Sequence, residues 1–328
     1  MCAFVLSMVT LTVPADAEGL RLDRFLRKHL PQASLSFIYK CLRNGVYRIN
    51  DKKSKPDYRL RTGDVVTLFL DPQDYERLVS KPSFDAPVKK TFEILFEDED
   101  IMVVNKPPLL ASQPGTGVER QNLINQVKSY LAGQKGTPAL ANRLDRGTSG
   151  IVLVGKHRQS TLALFHLFKN KEIEKEYVAL VKGHFATKKG VFTSHLKKTT
   201  EQFQHKMLIL PAAEEGTLFA ETAYEVLDES PAYSLVQLHL KTGKMHQIRV
   251  QLAHEGHPLL GDRVYGDADL NKQYARVLRR QFLHACRVKF IHPFTKKMMD
   301  IVAPLPEDLK NVAGRHFTPK NWPFWPSS

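Results

Sequence analysis

The residue in this sequence whose setting most clearly suggests a chemical role is Asp145, which lies in the segment ANRLDRGTSG at residues 141–150. Its carboxylate stands between two arginines and is followed by small residues. The aliphatic run at residues 151–154 is typical of a buried strand, and the apolar stretch before residue 141 is typical of a strand end. Asp145 is therefore predicted to lie on a loop between two strands, where either a nucleophilic carboxylate or an ordinary Arg/Asp turn fits the spacing.

A second segment that could take part in chemistry begins at Lys241 and reads KTGKMHQIRVQLAHEGHPLLGDRVYG. Met245, Ile248 and Leu252 recur at helical spacing and predict the buried face of a short helix, which Arg249 borders. A guanidinium group beside a core is costly unless an acidic group pairs with it. We therefore expect a carboxylate partner for Arg249.

The histidines and cysteines do not have the spacing of a metal site. The histidines of the second segment lack a nearby cysteine or carboxylate ligand set, which favours helix capping and RNA contact over zinc binding for His246, His254 and His257. The cysteines form no CxxC pair and predict no disulfide framework: Cys2, Cys41 and Cys286. This usage indicates a reducing compartment, and we expect a cytoplasmic protein.

The composition points to a polyanionic partner. The 328 residues include 48 Lys and Arg against 34 Asp and Glu, a formal net charge of +14. RNA, DNA and an anionic membrane surface all satisfy this charge. The apolar run at residues 3–13 is too short to span a bilayer and follows no positive residue, so it predicts a first strand and no membrane association.

Residues 18–70 form a basic unit, with twelve Lys or Arg against five Asp or Glu. Apolar residues at helical spacing predict two short helices, and strands are predicted at residues 46–50 and 65–70. The segments RLDRFL, LRNGVYRIN and RTGD resemble the alpha-L RNA-binding fold, with departures at Leu35 and Asp51, where Arg and Gly are usual. The resemblance implies that six basic residues contact phosphates: Arg24, Arg27, Lys28, Lys40, Arg43 and Arg48. A small solvated basic domain is the alternative.

The two chemical segments together are similar to the motifs of the RluA-type pseudouridine synthases. In that family an HRLD segment followed by T-S-G carries the nucleophilic aspartate, and the match falls on Asp145. The chain departs at Asn142, where His is usual, and at Gly147, where an acidic residue is common. The family motif HQIR followed by GD-x-x-YG matches the second segment, and the resemblance implies that its arginine, Arg249, pairs with the catalytic aspartate.

The resemblance implies further site residues. The active-site tyrosine of a K-x-Y motif falls on Tyr177 in KEYVALVKG, which we predict as an alternating strand; its ring would stack on a displaced uracil, and an ordinary strand aromatic is the alternative. Leu283 in FLHA would pack beneath the target base, and Arg143 would fill the gap that the target leaves or clamp a phosphate. The family's V-H is missing from NKPPLLASQPG, so no catalytic role is carried onto Ser112 or Gln113.

These expectations divide the chain into five parts: an N-terminal strand or extension at 1–17, an alpha-L RNA-binding domain at 18–70, a linker at 71–88, a catalytic domain at 89–312 and an extended tail at 313–328. The linker is punctuated by prolines and has no stable period. Inside the catalytic domain, the polar residues 197–217 predict a surface excursion. The expected fold class is α+β, with a mixed, largely antiparallel central sheet flanked by helices.

The resemblance implies an RNA uridine isomerase, most similar to the branch of the family that modifies large-subunit ribosomal RNA. A tRNA pseudouridine synthase and a catalytically silent RNA-binding or ribosome-assembly protein of the same fold are alternatives. A metal-dependent nuclease is disfavoured because the sequence shows no set of carboxylates clustered as metal ligands. The isomerisation exchanges no hydride, phosphate or external group, so no cofactor and no metal are expected. The protein is expected to be a monomer that binds RNA.

Overall fold

The computed structural model describes residues 7–80, 88–115, 118, 120–201, 204–318 and 322–325. Contacts between residues divide the chain into two compact units, Met1–Pro87 and Val88–Ser328. None of the helices in these described ranges has the length and hydropathy needed to span a bilayer.

The N-terminal unit contains a three-stranded antiparallel sheet in the order β1-β3-β2. Its elements are β1 (Ser7–Thr12), α1 (Leu22–His29), α2 (Leu35–Asn44), β2 (Tyr47–Ile49), β3 (Val65–Leu70) and α3 (Pro72–Val79). Ser34 caps α2 by accepting a hydrogen bond from the backbone N–H of Phe37, and Gly45 ends the helix in the left-handed conformation. The two predicted helices and the two predicted strands after them are confirmed.

Two boundaries predicted at the ends of this unit are wrong. The strand predicted near the N-terminus is confirmed as β1, but it belongs to the sheet of this unit and not to a separate segment, and Val13 and Ala17 are buried in the unit's core. Residues 1–6 lie outside the described residues. The segment assigned as a linker contains α3, which is capped by Asp71 and buries Leu78 in the same core. A single buried leucine in eight residues is too weak a pattern to reveal this helix from the sequence.

The C-terminal unit is built on one mixed sheet in the order β10-β9-β11-β12-β8-β13-β7-β5-β4, with β14 paired to β13 and β6 paired to β7. All strand pairs are antiparallel except β13 with β7, which confirms the expected α+β class. The strands are β4 (Glu93–Glu97), β5 (Ile101–Lys106), β6 (Ala139–Leu140), β7 (Ser149–Gly155), β8 (Glu174–Lys182), β9 (Lys189–Glu201), β10 (Gln204–Leu210), β11 (Leu218–Glu229), β12 (Tyr233–Leu240), β13 (Leu283–Ile291) and β14 (Met298–Val302).

Within the described residues of this unit, five helices accompany the sheet. They are α4 (Leu123–Tyr130), α5 (Arg158–Lys169), α6 (Gln247–His254), α7 (Ala268–Tyr274) and α8 (Glu307–Ala313). The predicted helices α5 and α6 are confirmed, and the other three were not foreseen.

The strand that carries Tyr177 does not alternate as predicted. Six successive residues of β8, from Glu176 to Val181, are buried. The strand lies between β12 and β13 in the middle of the sheet, and residues of both its faces belong to hydrophobic clusters, Tyr177 to one and Val178 to another. A strand that is covered on both faces shows a continuous buried run rather than a two-residue period.

The segment predicted as a surface excursion is also different. Most of residues 197–217 belong to β9 and β10, which form an antiparallel hairpin, and β9 continues the sheet onto β11. Leu196 and Met207 of this hairpin are buried against Val250 of α6. Because these buried residues pack against residues distant in the sequence, the local pattern by itself resembles a polar surface segment.

The C-terminal segment is not an extended tail. Phe317, Phe324 and Trp325 are buried in the same cluster as Leu309 and Val312 of α8. Residues 319–321 and 326–328 lie outside the described residues. The aromatic side chains among the prolines therefore serve the core of the C-terminal unit.

Candidate active site

Asp145 lies on the loop that joins β6 to β7, as predicted. The backbone carbonyl of Asp145 accepts a hydrogen bond of 3.0 Å from the N–H of Thr148, which closes a turn behind the carboxylate. The Asp145 side chain is 27% exposed. The carboxylate is therefore held by a tight loop and remains accessible to a ligand.

Arg249 joins this carboxylate to a second one that is fully buried. Its Nη1 donates to Oδ2 of Asp145 at 2.9 Å, and its Nε and Nη2 donate to Asp262 at 2.7 and 2.8 Å. The side chain of Asp262 is 0% exposed and that of Arg249 is 7% exposed. Arg249 thus has the expected carboxylate partner, and the bidentate pair with Asp262 fixes the plane of its guanidinium group.

The turn that carries Asp262 explains the GD-x-x-YG pattern. Gly261 has a φ of +79°, and an added Cβ there would meet the carbonyl oxygen of Arg280 at 2.1 Å, so only glycine fits. Oδ1 of Asp262 accepts hydrogen bonds from the backbone N–H groups of Val264 and Tyr265. Asp262 therefore orients both the turn and Arg249.

Electrostatics keep Arg249 and Asp262 charged. Burial by itself would lower the pKa of Arg249, but hydrogen bonds and charge from Asp262, with a further contribution from Asp145, raise it above its ordinary value. Burial by itself would raise the pKa of Asp262, and the hydrogen bonds from Arg249 outweigh it, so this pKa is lowered. Arg249 consequently presents a fixed positive charge to Asp145.

The two oxygens of Asp145 differ in their surroundings. Oδ2 accepts the hydrogen bond from Arg249, whereas Oδ1 has no hydrogen-bond partner among the residues that the structure describes. A carboxylate that is paired at one oxygen and open at the other is oriented for reaction through the open one. Asp145 has the arrangement required of a nucleophile or a base.

Tyr177 and Leu283 lie on neighbouring central strands and face the same core. Tyr177 pairs with Ala285 across β8 and β13, Leu283 pairs with Ala179, and all four belong to one hydrophobic cluster. Burial, followed by the negative charge of Asp145, raises the pKa of Tyr177, so its phenol stays neutral. The structure therefore places Tyr177 within the electrostatic reach of Asp145, with Leu283 beside it in the sheet.

Arg143 is not part of the Arg249 group. Its side chain is exposed, and its Nη1 donates to Oε1 of Gln113 at 3.4 Å. The six basic residues predicted to contact phosphates all lie in the N-terminal unit, and five of them are exposed: Arg24, Arg27, Lys28, Lys40 and Arg43. The sixth, Arg48, is half-buried, with its guanidinium 5.1 Å from the ring centre of Phe69.

Lys106 supports the loop that carries Asp145, and the sequence analysis did not identify it. It is fully buried, and its Nζ donates to the carbonyls of Pro107, Leu110 and Arg146 at 3.0, 2.8 and 3.4 Å. Burial, assisted by the charge of Arg280, lowers the pKa of Lys106 to about 7. A lysine at the end of the aliphatic run IMVVN was the available signal, because a charged residue in that position requires buried acceptors.

Ser112 and Arg280 hold the same loop at other points. Oγ of Ser112 donates to the carbonyl of Leu144 at 2.7 Å and accepts from its N–H at 3.1 Å. Arg280, which pairs with Asp308 of α8, donates to the carbonyl of Gly147 at 3.1 Å. The residues on both sides of Asp145 are thereby fixed, and nothing in the local sequence of Arg280 indicates this contact.

The predicted histidine roles need one correction. His246 occupies the position before the first residue of α6 but makes no capping hydrogen bond with its side chain. Its Nε2 instead lies 3.8 Å from Oδ2 of Asp145. His257 stacks on Phe185 at 3.9 Å between ring centres, and its Nδ1 lies 3.2 Å from the carbonyl oxygen of Lys182. Within the described part of the chain, no cluster of three or more potential metal ligands is found.

The chain is similar to known proteins in sequence and in structure. A family model described as RNA pseudouridylate synthase matches residues 100–254. Ribosomal large subunit pseudouridine synthase C of Buchnera aphidicola subsp. Schizaphis graminum is 35% identical over 317 residues, which cover 93% of this chain and 96% of that protein. The protein of the same name from Escherichia coli strain K12 is 34% identical over 308 residues, covering 93% and 95% respectively.

A solved structure supports the fold assignment. Human RNA Pseudouridylate Synthase Domain Containing 4 superposes with a TM-score of 0.56 at 24% identity, over 69% of this chain and 94% of that chain. The sequence relatives cover nearly the whole chain, and the family model includes both Asp145 and Arg249. The chain belongs to the RluA-type family of RNA pseudouridine synthases.

Proposed function

We propose that this enzyme converts uridines of large-subunit ribosomal RNA to pseudouridine, with Asp145 as its catalytic carboxylate. The observation that carries the proposal is the state of Asp145, which is paired with Arg249 through Oδ2 and open at Oδ1. The ribosomal substrate is supported by the names of the relatives that match over 93% of the chain. An RNA substrate also agrees with the formal net charge of +14.

The reaction is an isomerisation within one nucleotide. The bond between C1′ of the ribose and N1 of the uracil breaks, the uracil turns in place, and a bond forms between C1′ and C5. The proton on C5 is then lost and N1 gains one, so the atoms balance without a second substrate. Asp145 acts either as a nucleophile towards the sugar or base or as a base towards the sugar. Both routes require an ionised carboxylate with a free oxygen, and the guanidinium group of Arg249, 2.9 Å from Oδ2, leaves Oδ1 free.

Three further residues are proposed to handle the displaced nucleotide. The neutral ring of Tyr177 is assigned to stack on the uracil, with Leu283 packing beneath it. The exposed Arg143, two residues before Asp145 in the sequence, is assigned to fill the space that the nucleotide leaves. A phosphate contact is the second role open to Arg143, since its guanidinium group can form bidentate hydrogen bonds.

The N-terminal unit is proposed to be an alpha-L RNA-binding domain. Its helices α1 and α2 expose five of the six predicted basic side chains. Lysine and arginine contacts to phosphates supply affinity and salt dependence rather than sequence choice. The unit is therefore assigned to hold the RNA and not to perform chemistry.

Removing three charges from α1 should weaken RNA binding without changing the chemical step. The variant is Arg24→Gln/Arg27→Gln/Lys28→Gln. A plot of the logarithm of its binding constant for duplex RNA against the logarithm of the salt concentration should have a slope that is smaller in magnitude than that of the wild type by up to about three. Binding to a ribosomal RNA fragment is measured from 50 to 300 mM salt, alongside the single-turnover rate at saturating enzyme. The control is Lys52→Gln/Lys55→Gln/Arg61→Gln, which removes equal charge from exposed residues outside the predicted set. Equal losses in the two variants would contradict a specific phosphate surface.

The proposed substrate is tested by mapping pseudouridines across total RNA. A strain that lacks the gene should lose pseudouridine at defined positions of large-subunit ribosomal RNA, and the wild-type gene should restore them, whereas Asp145→Asn should not. If pseudouridine were lost only from tRNA, the protein would be a tRNA pseudouridine synthase instead. An unchanged map would favour a silent RNA-binding or assembly protein. We further propose a cytoplasmic monomer, which agrees with the buried, unpaired thiols of Cys41 and Cys286.

A further inference from the structure

His246 lies beside the catalytic carboxylate in an unusual backbone conformation. Its φ of 54° places it in the left-handed region, which residues other than glycine rarely adopt. Its side chain is 17% exposed, and its Nε2 lies 3.8 Å from Oδ2 of Asp145. Strained residues of this kind concentrate at functional sites, where neighbouring contacts hold them in place.

Tyr265 fixes which nitrogen of His246 carries the proton. The hydroxyl oxygen of Tyr265 accepts a hydrogen bond of 2.8 Å from the backbone N–H of Met207 in β10. The single phenolic proton is then free to be donated, and Nδ1 of His246 lies 3.0 Å from that oxygen. When the phenol donates this proton, Nδ1 is the acceptor, and a neutral imidazole then carries its own proton on Nε2, the atom that lies 3.8 Å from Oδ2 of Asp145.

The groups around His246 favour the neutral ring. Burial is the largest influence and lowers its pKa, and the positive charge of Arg249 lowers it further. The carboxylates of Asp145 and Asp262 act in the opposite direction but do not reverse the net lowering. Burial raises the pKa of Tyr265, which keeps the phenol protonated and able to donate.

We propose that His246 is a positioning residue for Asp145: Tyr265 holds it as the Nε2–H tautomer, and this N–H is directed at the oxygen that also pairs with Arg249. The proposal rests on the catalytic role assigned to Asp145. At 3.8 Å the contact is longer than a hydrogen bond, so it acts as an oriented dipole rather than as a bond. The charge of Arg249 and the N–H dipole of His246 both act on Oδ2, which leaves Oδ1 as the oxygen that reacts.

The same contacts connect the β9–β10 hairpin to the site. Met207, which orients Tyr265, is buried in the cluster that includes Leu196 and Val250. The ring of Tyr265 also lies below Arg249, with its centre 5.3 Å from the guanidinium carbon. Tyr265 therefore contacts both residues that face Oδ2 of Asp145.

A packing role would produce a different result from a positioning role. His246 and Tyr265 pack edge to face, with ring centres 5.6 Å apart, and phenylalanine at position 246 would preserve that packing. Only a side chain with an N–H can replace the dipole. His246→Phe and His246→Gln therefore separate the two roles.

The kinetic test uses full-length enzyme and a uridine-containing ribosomal RNA fragment. His246→Phe should lower kcat by about ten- to a hundredfold with KM nearly unchanged, because the misaligned carboxylate affects the reaction and not RNA binding. His246→Gln should recover a large part of this loss. Wild-type kcat in His246→Phe, or equal loss in both variants, would overturn the proposal.

The tautomer is tested separately by nitrogen NMR on enzyme labelled with ¹⁵N-histidine, without substrate. At neutral pH, His246 should show a protonated Nε2 and an unprotonated Nδ1. An Nδ1–H tautomer or an imidazolium at that pH would overturn the proposal. Because this measurement requires no turnover, a wild-type enzyme that shows the tautomer but forms no pseudouridine would instead reject the proposed function.

Tyr265→Phe tests the hydrogen bond that selects the tautomer. Without the phenolic donor, Nδ1 is free to take a proton and the negative charge of Asp145 favours the imidazolium, so the acid limb of the kcat profile should move to higher pH. The matched control is Tyr274→Phe, which removes a 2.8 Å Tyr–His contact to His316 outside the site. The proposal fails if the two variants have the same pH profile.

Discussion

Replacing Asp145 with asparagine should abolish pseudouridine formation while folding and RNA binding are retained. The amide has nearly the same shape as the carboxylate, and its oxygen can still accept the hydrogen bond from Arg249. It cannot act as a nucleophile or as a base. Removal of such a group typically costs on the order of 10⁴-fold or more in kcat. The measurement is single-turnover pseudouridine formation, together with RNA binding and thermal unfolding of the same preparation.

A matched control for this variant is Asp300→Asn. Asp300 also pairs with an arginine, accepting two hydrogen bonds from Arg287 on the outside of the same unit. Its replacement should leave the rate close to that of the wild type. Substantial pseudouridine formation by Asp145→Asn would remove Asp145 from its proposed role.

Replacing Arg249 with methionine should inactivate the enzyme and also destabilise it. The variant leaves the buried Asp262 without its bidentate partner and Asp145 without the hydrogen bond that orients its carboxylate. Breaking a buried ion pair by removing one partner costs about 3–5 kcal/mol in the free energy of unfolding. Stability is measured by urea unfolding and activity by single-turnover kinetics.

The double variant Arg249→Met/Asp262→Asn separates the two effects. It removes the unpaired buried charge, so it should recover part of the lost stability but none of the activity. The control Arg287→Met, which breaks an ion pair on the surface, should cost no more than about 1 kcal/mol. If Arg249→Met cost no more than this control, the account of a buried charge network would be wrong.

The pH dependence of stability gives a further check on the same pair. The pKa of Asp262 is lowered in the folded state, so the unfolded chain binds more protons in acid. The contribution of the pair is present above the unfolded pKa and is lost as pH falls through the folded pKa. The difference in stability between the wild type and Arg249→Met should therefore shrink on acidification below the ordinary carboxyl range.

The sequence by itself determined the elements whose signals are local. The helical spacing of Leu22, Phe25 and Leu26 predicted α1, and the aliphatic run after Asp145 predicted β7. Asp145 and Arg249 were singled out from their short motifs, and the need of a guanidinium group for a carboxylate partner is a matter of elementary electrostatics. Each of these features depends on residues that are close to one another in the sequence.

Tertiary structure decided the features that depend on distant residues. Arg249 and Asp145 are 104 residues apart, and Arg280 contacts Ser149 from a distance of 131 residues. The β9–β10 hairpin was not predicted because its buried residues meet a helix formed much later in the chain.

The site shows the same division. Residue types and motifs indicated which carboxylate could react, but its state depends on neighbours that no local pattern specifies. Asp262 fixes the guanidinium group of Arg249, and Tyr265 orients His246. Lys106 donates a hydrogen bond to the loop that carries Asp145. Each of these contacts joins residues that are at least 13 positions apart in the chain. Burial then strengthens every charge interaction among them, and for that reason the electrostatics of Asp145 are a property of the folded chain.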